Sequence, residues 1–217
     1  EVLGSKKWGF VNINLRTYYS EGSKTVGYEI IEQLGWKAPK NIVVCMASGS
    51  LLTKIYKSVK EFEDLGFIEP NDTKIFGAQA SGCSPISTAV KNKWDTFKPV
   101  KPNTIAKSLA IGNPADGINA INLLNSINSY SEDVSDEEIV SAMKLLAETE
   151  GIFTETAGGV TLASAKKLIE AGRIPRNESI VLVITGNGLK TQDPLVNNIT
   201  KPYIIEPKIE DFNKIFD

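Results

Sequence analysis

Asn41-Ile42-Val43-Val44-Cys45-Met46, followed at once by Ala47-Ser48-Gly49-Ser50, is the stretch on which the fold turns. The first six residues form a short apolar run with no polar alternation, which reads as a strand buried on both faces. Four small residues follow. Beyond them Leu51, Leu52, Ile55, Val59 and Phe62 recur at helical spacing, and Gly66 closes that helix. A doubly buried strand that passes straight into a helix is one unit of a parallel sheet. Working outward, the pattern repeats. Thr73 to Ala78 (TKIFGA) and Ile180 to Thr185 (IVLVIT) read as strands, the latter the clearest buried strand of the chain, and Gly9 to Leu15 and Ile152 to Glu155 as two more. Helices are predicted over 23–34, 84–93, 115–127 and 157–170. Another starts at Ser135, which with Glu138 forms a capping box ahead of Ile139, Met143 and Leu146. Residues 94–113, broken by Pro99 and Pro102, predict a loop carrying one short strand, and the tail after Pro194 is less regular. The alternation predicts an α/β fold: an open, mostly parallel sheet with helices on both faces. No repeat, low-complexity stretch or linker divides it, so residues 1–217 read as a single domain.

Composition removes whole classes of chemistry. The chain has no histidine, which excludes Ser-His-Asp and Cys-His catalysis. Two cysteines, Cys45 and Cys83, cannot fill a tetrahedral zinc shell and read as reduced thiols of a cytoplasmic protein. The 24 basic and 26 acidic side chains nearly cancel and form no basic tract, so no nucleic-acid or membrane partner is expected. No apolar run approaches the roughly 18 residues of a membrane helix, and no signal-peptide pattern opens the chain. A start at Glu1 fits a processed product or a trimmed end equally.

Two strand ends carry candidate chemistry. After NIVVCM, the residues Ala47, Ser48, Gly49, Ser50 and Leu51 let backbone come close to a ligand. The N–H groups at the following helix start suit a phosphate. The bland alternative is a tight turn with Ser50 as an ordinary N-cap. After IVLVIT, the segment Thr185-Gly186-Asn187-Gly188 is either a plain turn or places the Thr185 hydroxyl at the rim of a site. Lys24 could bind an anion or simply be solvated. Gln79 to Pro85 could line a pocket or simply turn. Glu155 is a site carboxylate or a surface one, and spacing does not separate the two.

Taken in order, EGSKT (21–25), ASGSLLTK (47–54), QASGCSP (79–85), SLAIGNP (108–114), EGIFTETAGG (150–159) and ITGNGLK (184–190) resemble threonine synthases of the archaeal type. These are pyridoxal-phosphate enzymes of the tryptophan-synthase-β-like fold. The resemblance covers nearly the whole chain and implies roles for particular residues. Ala47, Ser48, Gly49, Ser50 and Leu51 match the loop whose amides hold the cofactor phosphate. Thr185 matches the hydroxyl facing the pyridine nitrogen. Lys24 lies where the family binds the substrate phosphate, and so does Arg16, although Arg16 is offset from the usual spacing.

The departures are equally informative. The Ser-Phe-Lys-Asp type motif that supplies the covalent lysine is missing, as is the Ser-Gly-Asn-Thr segment that grips the substrate carboxylate. The chain is therefore expected to be the carboxy-terminal, large-domain part of a longer enzyme, inactive by itself and bare along one flank of its core. Pyridoxal phosphate would belong to the intact enzyme and would be held poorly here. By resemblance the intact protein, a homodimer, converts O-phospho-L-homoserine and water into L-threonine and phosphate. Two other readings stand beside it: a threonine or serine dehydratase, and a non-catalytic module that binds a phosphorylated ligand.

Overall fold

A computed structural model describes residues 5–6, 17–196 and 202–216. Its centre is a four-stranded, all-parallel sheet. In chain order the strands are β1 (Asn41–Cys45), β2 (Lys74–Ala80), β3 (Ser131–Val134) and β4 (Ile180–Val183), and in space they run β3-β2-β1-β4. Val44 pairs with Gly77 on one side and with Val183 on the other, so β1, like β2, is an inner strand. Its side chains alternate between two cores. Ile42, Val44 and Met46 face one side and pack with Leu52, Ile55 and Ile121; Val43 and Cys45 face the other and pack with Ala157, Val160 and Met143. Each large apolar side chain so buried stabilises the fold by roughly 1.5–3 kcal/mol. Both faces are consumed, which is why the run shows no polar alternation.

Helices α1 (Thr17–Gly22), α2 (Thr25–Gln33), α3 (Ser50–Asp64), α4 (Pro85–Lys91) and α5 (Gly117–Ser126) precede β3. Helices α6 (Asp136–Glu150) and α7 (Thr156–Glu170) separate β3 from β4. The capping box at the start of α6 is complete: the Glu138 N–H donates to Ser135 Oγ at 3.3 Å, and the Ser135 N–H donates to Glu138 Oε2 at 2.7 Å. Pro85 opens α4 at a position where its missing N–H costs nothing. Beyond β4 come α8 (Asp193–Val196) and α9 (Ile209–Phe216).

The connections place the crevice. From β1 the chain moves to β2 and on to β3, always in the same direction across the sheet. It then returns over both strands, through α6 and α7, to lay β4 on the far side of β1. The strand order reverses between β1 and β4. In an open parallel sheet the gap beyond the carboxyl ends at such a reversal is where ligands bind.

Several sequence expectations need correction. Residues 94–113 hold no strand; a single 3-10 turn, Lys107–Leu109, is their regular element. Ile152 to Glu155 is not a strand either, since only Thr154 bridges, to Asn187. Ser131–Val134 (SEDV) is a strand without an apolar run. It lies on the outer edge, and Lys91 ion-pairs with both Glu132 and Asp133 there. The apolar β4 is not fully buried: Ile180, Val181 and Leu182 are half-buried, and among the described residues β4 is the opposite edge. The N-cap of α3 is Gly49, not Ser50. The tail contains an amphipathic helix, α9, whose Ile209, Phe212 and Phe216 are exposed. The strand expected at Gly9 to Leu15 lies outside the described residues.

Candidate functional site

A cavity of about 250 Å³ opens at the β1/β4 crevice. The whole small-residue loop, Ala47 to Leu51, lines one wall, and Thr185 lines another. Their meeting follows from topology. Val44 of β1 is registered with Val183 of β4, so the residues that follow both strands emerge side by side.

The loop is shaped to approach a ligand closely. Gly49 has φ +93°, and an added Cβ would lie 3.0 Å from Ala120 Cβ and 3.1 Å from the Asp116 carbonyl oxygen. Only glycine fits both the left-handed backbone and the space. Helix α3 then begins with no side-chain cap, and the Ser50 N–H is met by Ser48 Oγ only at a long 3.4 Å. The first N–H groups of a helix have no partner within it, and the axial dipole makes that end positive. An uncapped helix start beside a cavity is suited to an anionic oxygen cluster.

Across the cavity, Thr185 Oγ1 lies 3.7 Å from Cys45 Sγ. Burial pushes the Cys45 thiol above its ordinary range, so this sulfur is a neutral wall rather than a nucleophile. Leu109 and Ala157 add apolar surface, and Ser108 and Ser23 add hydroxyls.

The lining also includes a carboxylate that the sequence left undecided. Glu155 is 5% exposed and occupies the N-cap position of α7. Its Oε2 receives no hydrogen bond, and among the described residues it forms one ion pair, to Lys190 Nζ at 3.4 Å. The room for this carboxylate is provided by Gly186, a residue no local pattern connects to Glu155.

Lys24 is not part of the wall. Its neighbour Ser23 is, but the Lys24 ammonium is held by Glu21 at 2.7 Å and Glu61 at 3.0 Å. Those two carboxylates keep its pKa above lysine's usual value. Arg16 lies outside the described residues. QASGCSP does not line the cavity. Gln79 is buried and acts as a strut, its Oε1 accepting from the Ser87 N–H at 2.9 Å and its Nε2 donating to the Met46 carbonyl at 3.4 Å. Among the described residues no cluster of metal-binding side chains occurs and no helix is long and apolar enough to cross a membrane.

Known proteins give this geometry a context. Residues 1–186 match the family model described as pyridoxal-phosphate dependent enzyme. The threonine synthase of Methanocaldococcus jannaschii is 39% identical over 205 residues, an alignment covering 94% of this chain and 50% of that protein. The threonine synthase of Methanosarcina acetivorans is 35% identical over 198 residues, covering 91% and 49%. The chain thus spans about half the length of the curated relatives it matches. Among solved structures, a pyridoxal 5'-phosphate-dependent aspartate racemase superposes with a TM-score of 0.67 at 18% identity, over 86% of this chain and 54% of the other. The processed form of threonine deaminase isoform 2 from Solanum lycopersicum gives 0.64 at 20% identity, over 82% and 49%. At such identities the structural likeness speaks to the fold alone, and it agrees with the open parallel sheet covered on both faces.

Proposed function

Since the chain belongs to the pyridoxal-phosphate-dependent enzyme family, we propose that it is the carboxy-terminal, cofactor-cradling part of a threonine synthase. The observation that carries this reading is the cavity shared by the 47–51 loop and Thr185. The residues present fit a flat, phosphorylated ring. An uncapped helix start stands ready for the ester phosphate, a hydroxyl faces it, and apolar surface lies between.

In the intact enzyme the reaction is the conversion of O-phospho-L-homoserine and water into L-threonine and phosphate. The cofactor, when bound, supplies an electron sink for removing protons near the substrate amine. This chain supplies binding and orientation. Amides from Ala47 to Leu51 hold the ester phosphate, and Ser48 and Ser50 add hydroxyl donors. The Thr185 hydroxyl pairs with the ring nitrogen as a neutral partner. Met46, Leu109 and Ala157 keep water from the ring. To hold a substrate phosphate, Lys24 would have to exchange one of its two carboxylates; Arg16 is proposed beside it from the family resemblance alone. The covalent lysine is assigned to the half of the enzyme that this chain does not span. Alone, the chain is expected to bind the cofactor weakly and turn nothing over. The intact enzyme is read as a cytoplasmic homodimer.

The test is a chimera in which this chain replaces the half it matches in the Methanocaldococcus jannaschii threonine synthase. Phosphate release and threonine formation from O-phospho-L-homoserine are expected. Ammonia and a keto acid from threonine, with no phosphate release, would replace the reading with a dehydratase. A correctly folded chimera that does neither would favour a non-catalytic binding module.

A further inference from the structure

The segment Gly186 to Lys190 is clamped against Phe153–Glu155 by its backbone. The Glu155 N–H donates to the Gly186 carbonyl at 3.3 Å, and the Gly188 N–H donates to the Phe153 carbonyl at 3.0 Å. Asn187 Oδ1 accepts from the Leu189 N–H at 2.9 Å, fixing the 3-10 turn that carries Lys190. These bonds hold Lys190 beside Glu155 and make the 3.4 Å ion pair a built feature. The two ends differ sharply. The Glu155 side chain is 6% exposed, and that of Lys190 is 66% exposed.

A buried negative charge in the wall of a cavity that takes an anion works against binding. Glu155 and the 47–51 loop line the same cavity, and like charges that share a partly desolvated wall repel each other. From the clamp and the pairing we infer that Lys190 is a positioning residue for anion binding. It does not touch the phosphate; it neutralises Glu155 from outside and keeps the cavity open to a phosphorylated ligand. The inference rests on the reading of the 47–51 loop as a phosphate site.

The experiment measures binding of inorganic phosphate, pyridoxal 5'-phosphate and unphosphorylated pyridoxine by calorimetry at low and high salt. It uses the wild-type chain, Lys190→Met, Lys190→Arg, Glu155→Gln and the Glu155→Gln/Lys190→Met double variant, each checked for native circular dichroism. Lys190→Met is expected to weaken both phosphate ligands roughly tenfold at low salt and less at high salt, because Lys190 is exposed. Pyridoxine, which carries no phosphate, should be unaffected. Lys190→Arg should bind like wild type. On the Glu155→Gln background, removing Lys190 should change nothing. Phosphate binding to Lys190→Met at wild-type strength would overturn the inference and leave the loop reading intact. So would an equal loss for pyridoxine, or a loss that persists when Glu155→Gln is already in place. Because the chain alone is expected to bind weakly, the titrations run to millimolar ligand; a natively folded wild-type chain that binds neither phosphate ligand even there would remove the loop reading itself, and the inference with it.

Discussion

Glu155 occupies the space that a side chain at Gly186 would need. A Cβ added to Gly186 would stand 2.3 Å from Glu155 Cδ and Oε1, and Gly186 already has φ +69°. Gly186→Ala should therefore cost about 1–2 kcal/mol for the left-handed backbone and about 1–3 kcal/mol more for overpacking. Gly172→Ala is the matched control. Its φ of +68° carries the same backbone strain, but nothing lies within 4 Å of the added carbon. Chemical denaturation of both variants should rank Gly186→Ala clearly below Gly172→Ala. Equal midpoints would mean that Glu155 moves aside at no cost.

Thr185→Val keeps the shape of the cavity wall and deletes its hydroxyl. A single hydrogen bond contributes about 1 kcal/mol net, so affinity for pyridoxal 5'-phosphate should fall about fivefold. Affinity for inorganic phosphate, proposed to sit against the 47–51 loop, should stay unchanged. A parallel loss of both ligands in calorimetry would contradict this division of the cavity.

Acid should weaken the ion cluster around Glu21. Hydrogen bonds from Lys24, Lys54 and Lys57 pull the Glu21 pKa from 4.5 down to about 2. A carboxyl whose folded pKa is depressed contributes stability that is complete above its unfolded value and is lost as the pH falls through the folded one. The thermal-stability difference between wild type and Glu21→Gln should thus be full above pH 4.5 and close towards pH 2. A difference that stayed constant across that range would show that the cluster contributes through packing alone.

Ser135→Ala should destabilise the chain by about 1 kcal/mol, since it removes the oxygen that accepts the Glu138 N–H. Ser135→Asp should recover most of that loss. Urea midpoints of the two variants that could not be told apart would show that the cap adds nothing once α6 is packed.

How far the fold could be read from sequence depended on where each element's instructions lie. NIVVC and the Ser135/Glu138 box are self-contained: an apolar run and a three-residue spacing state their own structure. The small-residue loop was legible as a close turn, but part of what forbids a side chain at Gly49 lies far off in the chain, at Asp116 and Ala120. SEDV was not legible as a strand. Its extended form comes from pairing with Gly77 to Ala80, and its charges suit an edge. Conversely, IVLV looks like a central strand, and nothing in its four residues says that among the described residues it pairs with β1 alone. The Ile152 to Glu155 stretch has strand composition but meets only one bridging partner. Glu155 itself was undecidable, because the space it fills is set by Gly186 on a separate segment.

The reversal that sets β4 beside β1 has a consequence for how the molecule comes into being. Cys45 and Thr185, which touch where β1 and β4 run into the crevice, are 140 positions apart in the chain. Closing a loop of that length precedes any reward from the contact, and long-range parallel pairing is slow. During synthesis the first wall leaves the ribosome long before the second exists. The crevice is thus among the last features to form, and a polypeptide cut short before Ile180 has half of the crevice and an open flank on β1.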